Sequence, residues 1–418
     1  MGIVRADCQR QDEQDPLRAL RDQFQLPEGV LYLDGNSLGA LPKATAKRVA
    51  SAVNDEWGHG LIRSWNTAGW ITLPSRVGDK IARLIGADPG EVVVADSTSV
   101  NLYKVLSAAL AMAAVAAPRK KVILSERHNF PTDLYIAQSL AREHGCELVL
   151  CDTPGEVDAR LDEGSVAVLM LTHVNYRTGR MHDLRRLTGL AHERGALALW
   201  DLAHSAGAVP LALKADEADF AVGCGYKYLN GGPGAPAFAW VHPRHADRFE
   251  QPLSGWMGHA EPFAFTPDYR PAPGIARYLC GTPAVLAMTA LECGVDTLLA
   301  APGIEALRKK SLALTDLFME LVEARCGGQG LVLATPLERA LRGSQVSYMR
   351  AEGGYALMQA LIARNVIGDF RAPDLLRFGF TPLYTRFVDV WDAVEALREV
   401  LETGVWREPR FQARATVT

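Results

Sequence analysis

The sequence predicts an α/β chain: a mostly parallel central sheet in a large domain, followed by a smaller α+β domain. Three observations predict it. Short apolar runs recur through residues 91–241, with stretches of helical periodicity between them. Most of these runs are continuous rather than alternating, as strands covered on both faces are. After residue 283 the order changes to two long helices, followed by strands that alternate with helices.

Taken in order, strands are expected at 91–95, 121–125, 147–151, 166–172, 197–201, 220–223 and 237–241. Helices fit between them at 99–117, 131–145 and 183–194. A βαβ order of this kind implies right-handed crossovers and ligands beyond the carboxyl ends of the strands. Further on, helices at 283–299 and 303–323 precede strands at 345–350 and 375–380, which alternate with helices at 355–364 and 388–401. Residues 1–45 have no sheet pattern of their own and are expected to pack against this second unit. The expected domains are therefore 46–285 (large) and 1–45 with 286–418 (small). Residues 252–273 are rich in aromatics, Gly and Pro and show no period; long irregular stretches of this kind are often functional.

Composition excludes several classes. The chain has 418 residues, 48% hydrophobic and 22% charged, which is ordinary for a globular protein and unlike a disordered one. The balance of 44 basic and 48 acidic residues gives −4, with no electrostatic footprint for nucleic acid or an anionic membrane. Seven cysteines with no CxxC spacing suggest reduced thiols, and no metal site is expected. The charged N-terminus lacks the apolar core of a signal peptide, and the apolar run 105–117 is shorter than a membrane span. A cytoplasmic location is expected. Only ten residues are lysines, and between Val122 and Arg308 there are two, Lys214 and Lys227.

Several segments could carry chemistry. Asp201 closes the apolar run LALW, where a carboxylate must meet a cation or donors, or else cap a helix. His204 follows three residues later. Lys227 lies between two tyrosines, after a strand and before the glycine-rich NGGPGAP; such surroundings desolvate an ammonium, as a Schiff-base lysine requires. Ser97 and Thr98 stand at a strand-to-helix junction, where hydroxyls and free N–H groups suit a phosphate or simply cap the helix. Phe130 and Asp133 occupy a similar junction, and Phe130 is either core or a stacking surface. Each signal is weak alone. Together they supply a carboxylate for a pyridine nitrogen, a stacking face, a phosphate site and a lysine for an aldehyde. That combination points to pyridoxal phosphate (PLP).

The segments WDLAHSAGA and GYKYLNGGPGAP, with YLDGNSLGALPK, WGHGLIRSW, NFPTDLY, MLTHVNYRTG, PLSGWMGH, YLCGTP and LRFGFTPLYTRF, carry a family resemblance over nearly the whole chain. The chain resembles the kynureninases, fold type I PLP-dependent enzymes of the aminotransferase class V branch. The resemblance implies hydrolysis of L-kynurenine to anthranilate and L-alanine in tryptophan catabolism. It implies that Lys227 holds PLP and moves the α-proton, and that Asp201 keeps the pyridine nitrogen protonated. Phe130 would stack on the ring, and Ser97, Thr98 and Tyr226 would bind the phosphate. Asp133, Thr172 and His204 would complete the cofactor shell. Tyr226 is also the expected proton donor. Trp256 and Thr282 would reach the cofactor of the opposite subunit in a homodimer. Arg377 would take the substrate carboxylate through its planar fork, and Ser37 and His59 would line the substrate site.

Two other readings compete. A cysteine desulfurase or selenocysteine lyase needs a mobile nucleophilic cysteine; Cys224 and Cys280 are the candidates, and neither is expected to be placed for it. A nucleotide-binding module using NGGPGAP would need the Gly-Lys-Ser/Thr ending of a Walker A loop, which that segment lacks. The choice between kynurenine and 3-hydroxykynurenine rests on contacts that a sequence does not place.

Overall fold

Alternate residues of each central strand enter opposite cores. Val92 and Val94 belong to one apolar cluster and Val93 to another; Leu169 and Leu171 are likewise divided from Val168 and Met170, and Trp200 from Leu199. A strand with both faces buried has no solvent side on which to place polar residues, which is why these runs are continuous.

The computed structural model describes residues 2–248 and 250–414. The main elements, in chain order, begin with α1 (Arg5–Gln14), α2 (Lys43–Ser51), α3 (Leu73–Ile85), β1 (Val92–Ala95), α4 (Thr98–Ala116) and β2 (Val122–Glu126). Then come α5 (Pro131–His144), β3 (Glu147–Cys151), α6 (Pro154–Asp162), β4 (Val166–Thr172), α7 (Leu184–Glu193), β5 (Leu197–Asp201), β6 (Phe220–Gly223) and β7 (Ala237–Val241). The chain continues through α8 (Val285–Leu299), α9 (Ile304–Cys326), β8 (Val332–Leu333), β9 (Gln345–Met349), α10 (Gly354–Ile362), β10 (Asp369–Arg371), β11 (Leu375–Gly379) and α11 (Phe387–Thr403).

The seven-stranded sheet has the order β1-β7-β6-β5-β4-β2-β3. Strands β2 to β6 pair in parallel, and β7 is antiparallel to both of its neighbours. Helices α4 and α5 cover one face, and α3, α7 and α8 cover the other. The strand and helix bounds expected from sequence agree with these to within a few residues. Four of these helices were not anticipated: α1, α2, α3 and α6. In α3, Pro74 and Gly78 resemble breakers, yet Pro74 sits in the first turn, where its missing N–H costs nothing. Gly78 is required because a Cβ there would overlap the Val92 carbonyl. A π-helical turn at Ala52–Gly60 was also not anticipated. Helix α4 is long and apolar enough to cross a bilayer, but most of it is buried against the sheet and α5, as a core helix is.

The smaller sheet, β8-β9-β11-β10, is antiparallel throughout and packs with α9, α10 and α11. The first forty residues divide between the cores. Cys8 and Leu33 enter the small one, and Leu17, Phe24 and Ala40 the large one. Leu31–Tyr32 pairs in parallel with Val366–Ile367. Helix α8 gives Leu291, Val295 and Leu298 to the large core. Residues 415–418 of the expected small domain lie outside the described residues.

Candidate active site

The parallel strands bring their carboxyl ends to one edge of the sheet. Thr172 ends β4 and Asp201 ends β5, and the two are register partners. Ser97 and Thr98 follow β1, Phe130 and Asp133 follow β2, and Lys227 follows β6. Topology therefore places together residues as distant in sequence as Ser97 and Lys227.

Lys227 Nζ lies 2.9 Å from Nε2 of His204. His204 is buried, and burial followed by the charges of Lys227, Arg377 and Arg371 holds its ring well below the usual imidazole range. The ring is neutral, so its Nε2 accepts from the lysine. Gln345 of β9 brings its amide against the same ring. The turn that carries Lys227 is braced by the N-terminal segment: Gly39 N donates to the Tyr226 carbonyl at 2.8 Å. A Cβ on Gly39 would collide with the Lys227 carbonyl, so only glycine permits this approach.

Asp201 and Asp133 are both buried, at 5% and 3% exposure. Asp201 accepts from Ala203 N at 2.8 Å. Burial raises both carboxyls; the Asp201 charge pushes Asp133 well up, while Lys227 acts in the opposite direction on both. The Thr172 hydroxyl lies against both carboxyls and bonds to Asn129, which also bonds to Ser125 at 3.2 Å. With both carboxyls ionised this corner would be short of positive charge, which is why, beyond burial, Asp133 is pushed up.

Ser97 caps α4, accepting from Val100 N at 3.3 Å, and the preceding Asp96 is pinned to the buried Lys104 at 2.5 Å. Ser97, Thr98, Tyr226, Cys280, Gly281 and Thr282 line a cavity of about 470 Å³. Burial, then Cys224 and Asp201, keep the Tyr226 phenol protonated by pushing it up. Phe130 is 44% exposed and meets Tyr176 edge-on with centroids 5.3 Å apart, which leaves a ring face free.

Other expected residues fall differently. Thr282 lines the cavity of its own chain rather than standing apart from it, because Lys104 Nζ donates to the Tyr278 carbonyl at 2.8 Å and holds that segment beside α4. Cys280 also lines this cavity, beside Thr282. Trp256 sits outside it, edge-on to Trp65 and Phe263 on an aromatic surface. His59 is exposed on the π-helical turn. Arg377 and Ser37 do meet, at 2.9 Å, but the Arg377 fork is already filled by Asp369. Sequence reading passed over Asn129, Gln345, Asp369 and Arg371. The last two had one signal: charges spaced two apart, Asp369 and Arg371, on one face of a short strand.

The residues fit PLP. A protonated pyridine nitrogen held at Asp201 would supply positive charge beside the carboxyl pair. The hydroxyls and first-turn N–H groups of α4 suit its phosphate.

A lysine and a buried carboxylate at the strand ends of such a sheet define a PLP enzyme of the aminotransferase class V type, and the aminotransferase class-V family model matches residues 31–340. The kynureninase C-terminal domain model matches residues 307–397. A kynureninase of Burkholderia pseudomallei (strain K96243) is 59% identical over 409 residues, 97% of this chain and 98% of the other. One of Pseudomonas fluorescens is 57% identical over 417 residues, covering 99% and 100%. The chain belongs to the kynureninase family. Among solved structures, the apo cysteine desulfurase of Thermococcus onnurineus NA1 superposes with a TM-score of 0.78 at 18% identity, covering 92% of this chain and 98% of that one. A C-DES mutant with glycine covalently linked to its PLP cofactor gives 0.80 at 15%, covering 91% and 99%. These two share the fold.

Proposed function

We propose that this chain uses PLP to hydrolyse the Cβ–Cγ bond of L-kynurenine, giving anthranilate and L-alanine. The observation that carries this is the Lys227–His204 pair beside the buried Asp201–Asp133 carboxyls, in a chain 57–59% identical to kynureninases over nearly its full length. When bound, PLP supplies an electron sink for charge at the substrate's α-carbon and the carbon beyond it.

The protein's own residues do the rest. Lys227 Nζ holds the cofactor and, when free, takes the α-proton. His204, neutral, accepts from Nζ and fixes its direction. Asp201 would hold the pyridine N–H, supported by Asp133 and Thr172. Ser97, Thr98 and Tyr226 would hold the phosphate, and Phe130 would cover the ring. The Tyr226 phenol, kept protonated, is the group we assign as acid at the departing carbon. Arg377 and Ser37 form the floor under the substrate carboxylate.

We further propose a homodimer with shared active sites, in which the surface of Trp65, Trp256, Phe263 and Phe265 is covered by a second copy. His59 and Trp256, which do not meet the cavity within one chain, would join a site across that interface, and Thr282 would lie at it. The division into 46–285 and 1–45 with 286–418, a cytoplasmic location and a place in tryptophan catabolism belong to the same proposal. The experiment is direct: PLP-loaded protein given L-kynurenine, with anthranilate fluorescence as readout and 3-hydroxykynurenine compared in parallel. Absence of both anthranilate and 3-hydroxyanthranilate sinks the reading. Release of sulfide from cysteine would favour a desulfurase instead, for which Cys280 is the thiol in place.

A further inference from the structure

Asp369 stands between two arginines. Arg377, its register partner on β11, is 2% exposed. Its Nε donates to Asp369 at 2.7 Å, its Nη2 to Asp369 and, at 2.9 Å, to Ser37 Oγ, and its Nη1 to the Tyr176 carbonyl at 2.6 Å. Little of this guanidinium is left for a ligand. Arg371 is two residues from Asp369, so it leaves the same face of β10. Its side chain is 42% exposed. Nη2 lies 2.7 Å from Asp369 Oδ2 and 3.4 Å from Ser37 Oγ, while Nε and Nη1 meet no acceptor among the described residues. Its charge is felt by His204 and Tyr226, the neighbours of Lys227. The chain beyond it is tied to the turn after β4: Arg177 Nη1 donates to the Ala372 carbonyl at 3.2 Å, and Nη2 lies 3.6 Å from Asp374.

We infer that Arg371 is a second arginine for the substrate's α-carboxylate, offering the N–H groups that Arg377 has already spent on Asp369, and that Asp369 is the residue that positions both. The charges support this. Two guanidiniums against one ionised carboxylate leave a surplus of one positive charge, the complement of one α-carboxylate. The neighbouring Asp34, pushed up to about 7 by burial and Asp369, does not fully cancel that surplus near neutrality. The inference rests on the amino-acid substrate proposed above.

The test uses PLP-loaded enzyme and two probes without an amine, which are not turned over: 4-oxo-4-phenylbutanoate and its uncharged amide. Calorimetry gives the dissociation constant of each. The wild type should prefer the acid, and Arg371→Gln should lose about tenfold or more of that preference. An unchanged ratio, or no preference in the wild type, overturns the inference. If the glutamine variant does not fold, Arg371→Lys replaces it. That variant keeps the charge without the fork, so KM for L-kynurenine should rise while kcat and the visible cofactor band hold; an unchanged KM overturns the inference equally. Failure of the functional reading is distinguishable, because it appears as a wild type that does not cleave L-kynurenine at all.

Discussion

Lys227 Nζ and His204 Nε2 are 2.9 Å apart, with His204 held neutral by burial and by the lysine's own charge. The pair fixes where the amine points before any ligand arrives. Lys227→Ala should lower kcat by about 10²–10⁴-fold or more, the worth of a positioned acid–base group, while circular dichroism stays as in the wild type. Normal turnover of L-kynurenine by that variant would end the assignment.

Asp133 makes a prediction about pH and stability. Burial and the Asp201 charge raise its folded-state pKa above the unfolded value of ~3.9. A carboxyl shifted in that direction contributes stability below the unfolded pKa, and the contribution is lost as pH rises toward the folded one. Cofactor-free protein should therefore lose Tm between pH 4 and neutrality in a way that Asp133→Asn flattens. Parallel Tm curves for the two proteins would rule this out.

Asp219 behaves in the opposite sense. It is 1% exposed and lies 2.7 Å from His192 Nε2, 2.8 Å from His245 Nε2, 2.6 Å from Arg244 Nη2 and 2.7 Å from Ala198 N. Burial alone would raise its carboxyl, but the histidines and the Ala198 N–H outweigh it and hold it far below the usual range. Its stability contribution is present above the unfolded pKa of ~3.9 and is lost as pH falls below it. Asp219→Asn removes the charged acceptor shared by Arg244, His192, His245 and Ala198 N, and urea denaturation at pH 7 should show a loss of about 1–3 kcal/mol.

The aromatic surface predicts association. Phe263 and Phe265 are 59% and 79% exposed beside Trp256 and Trp65. Phe265→Glu should shift sedimentation from dimer toward monomer, and kynurenine turnover should fall with it. A wild type that sediments as a monomer would refute the shared-site arrangement.

Much of this was legible in the chain itself. The β-strands from Val92 to Val241 could be read because burial on both faces removes polar residues from them and leaves uninterrupted apolar runs. Lys227 was legible by scarcity: Lys214, the other lysine of that long stretch, proves to be tied to Asp88 and Glu91 at the surface. Helix α3 was hidden because Pro74 and Gly78 carry the local signal of a break while serving packing.

By itself, then, the sequence determined the sheet and the family resemblance, since each is written in local periodicity or in a short motif, and it narrowed the candidate Schiff-base lysine to Lys227. Only the tertiary structure decided who meets whom. It paired Asp133 with Asp201, brought Gln345 to His204 and filled the Arg377 fork with Asp369. It also left Arg371 open. These contacts join residues from 8 to 141 positions apart, and their electrostatics depend on burial and distance, which exist only once the chain has folded.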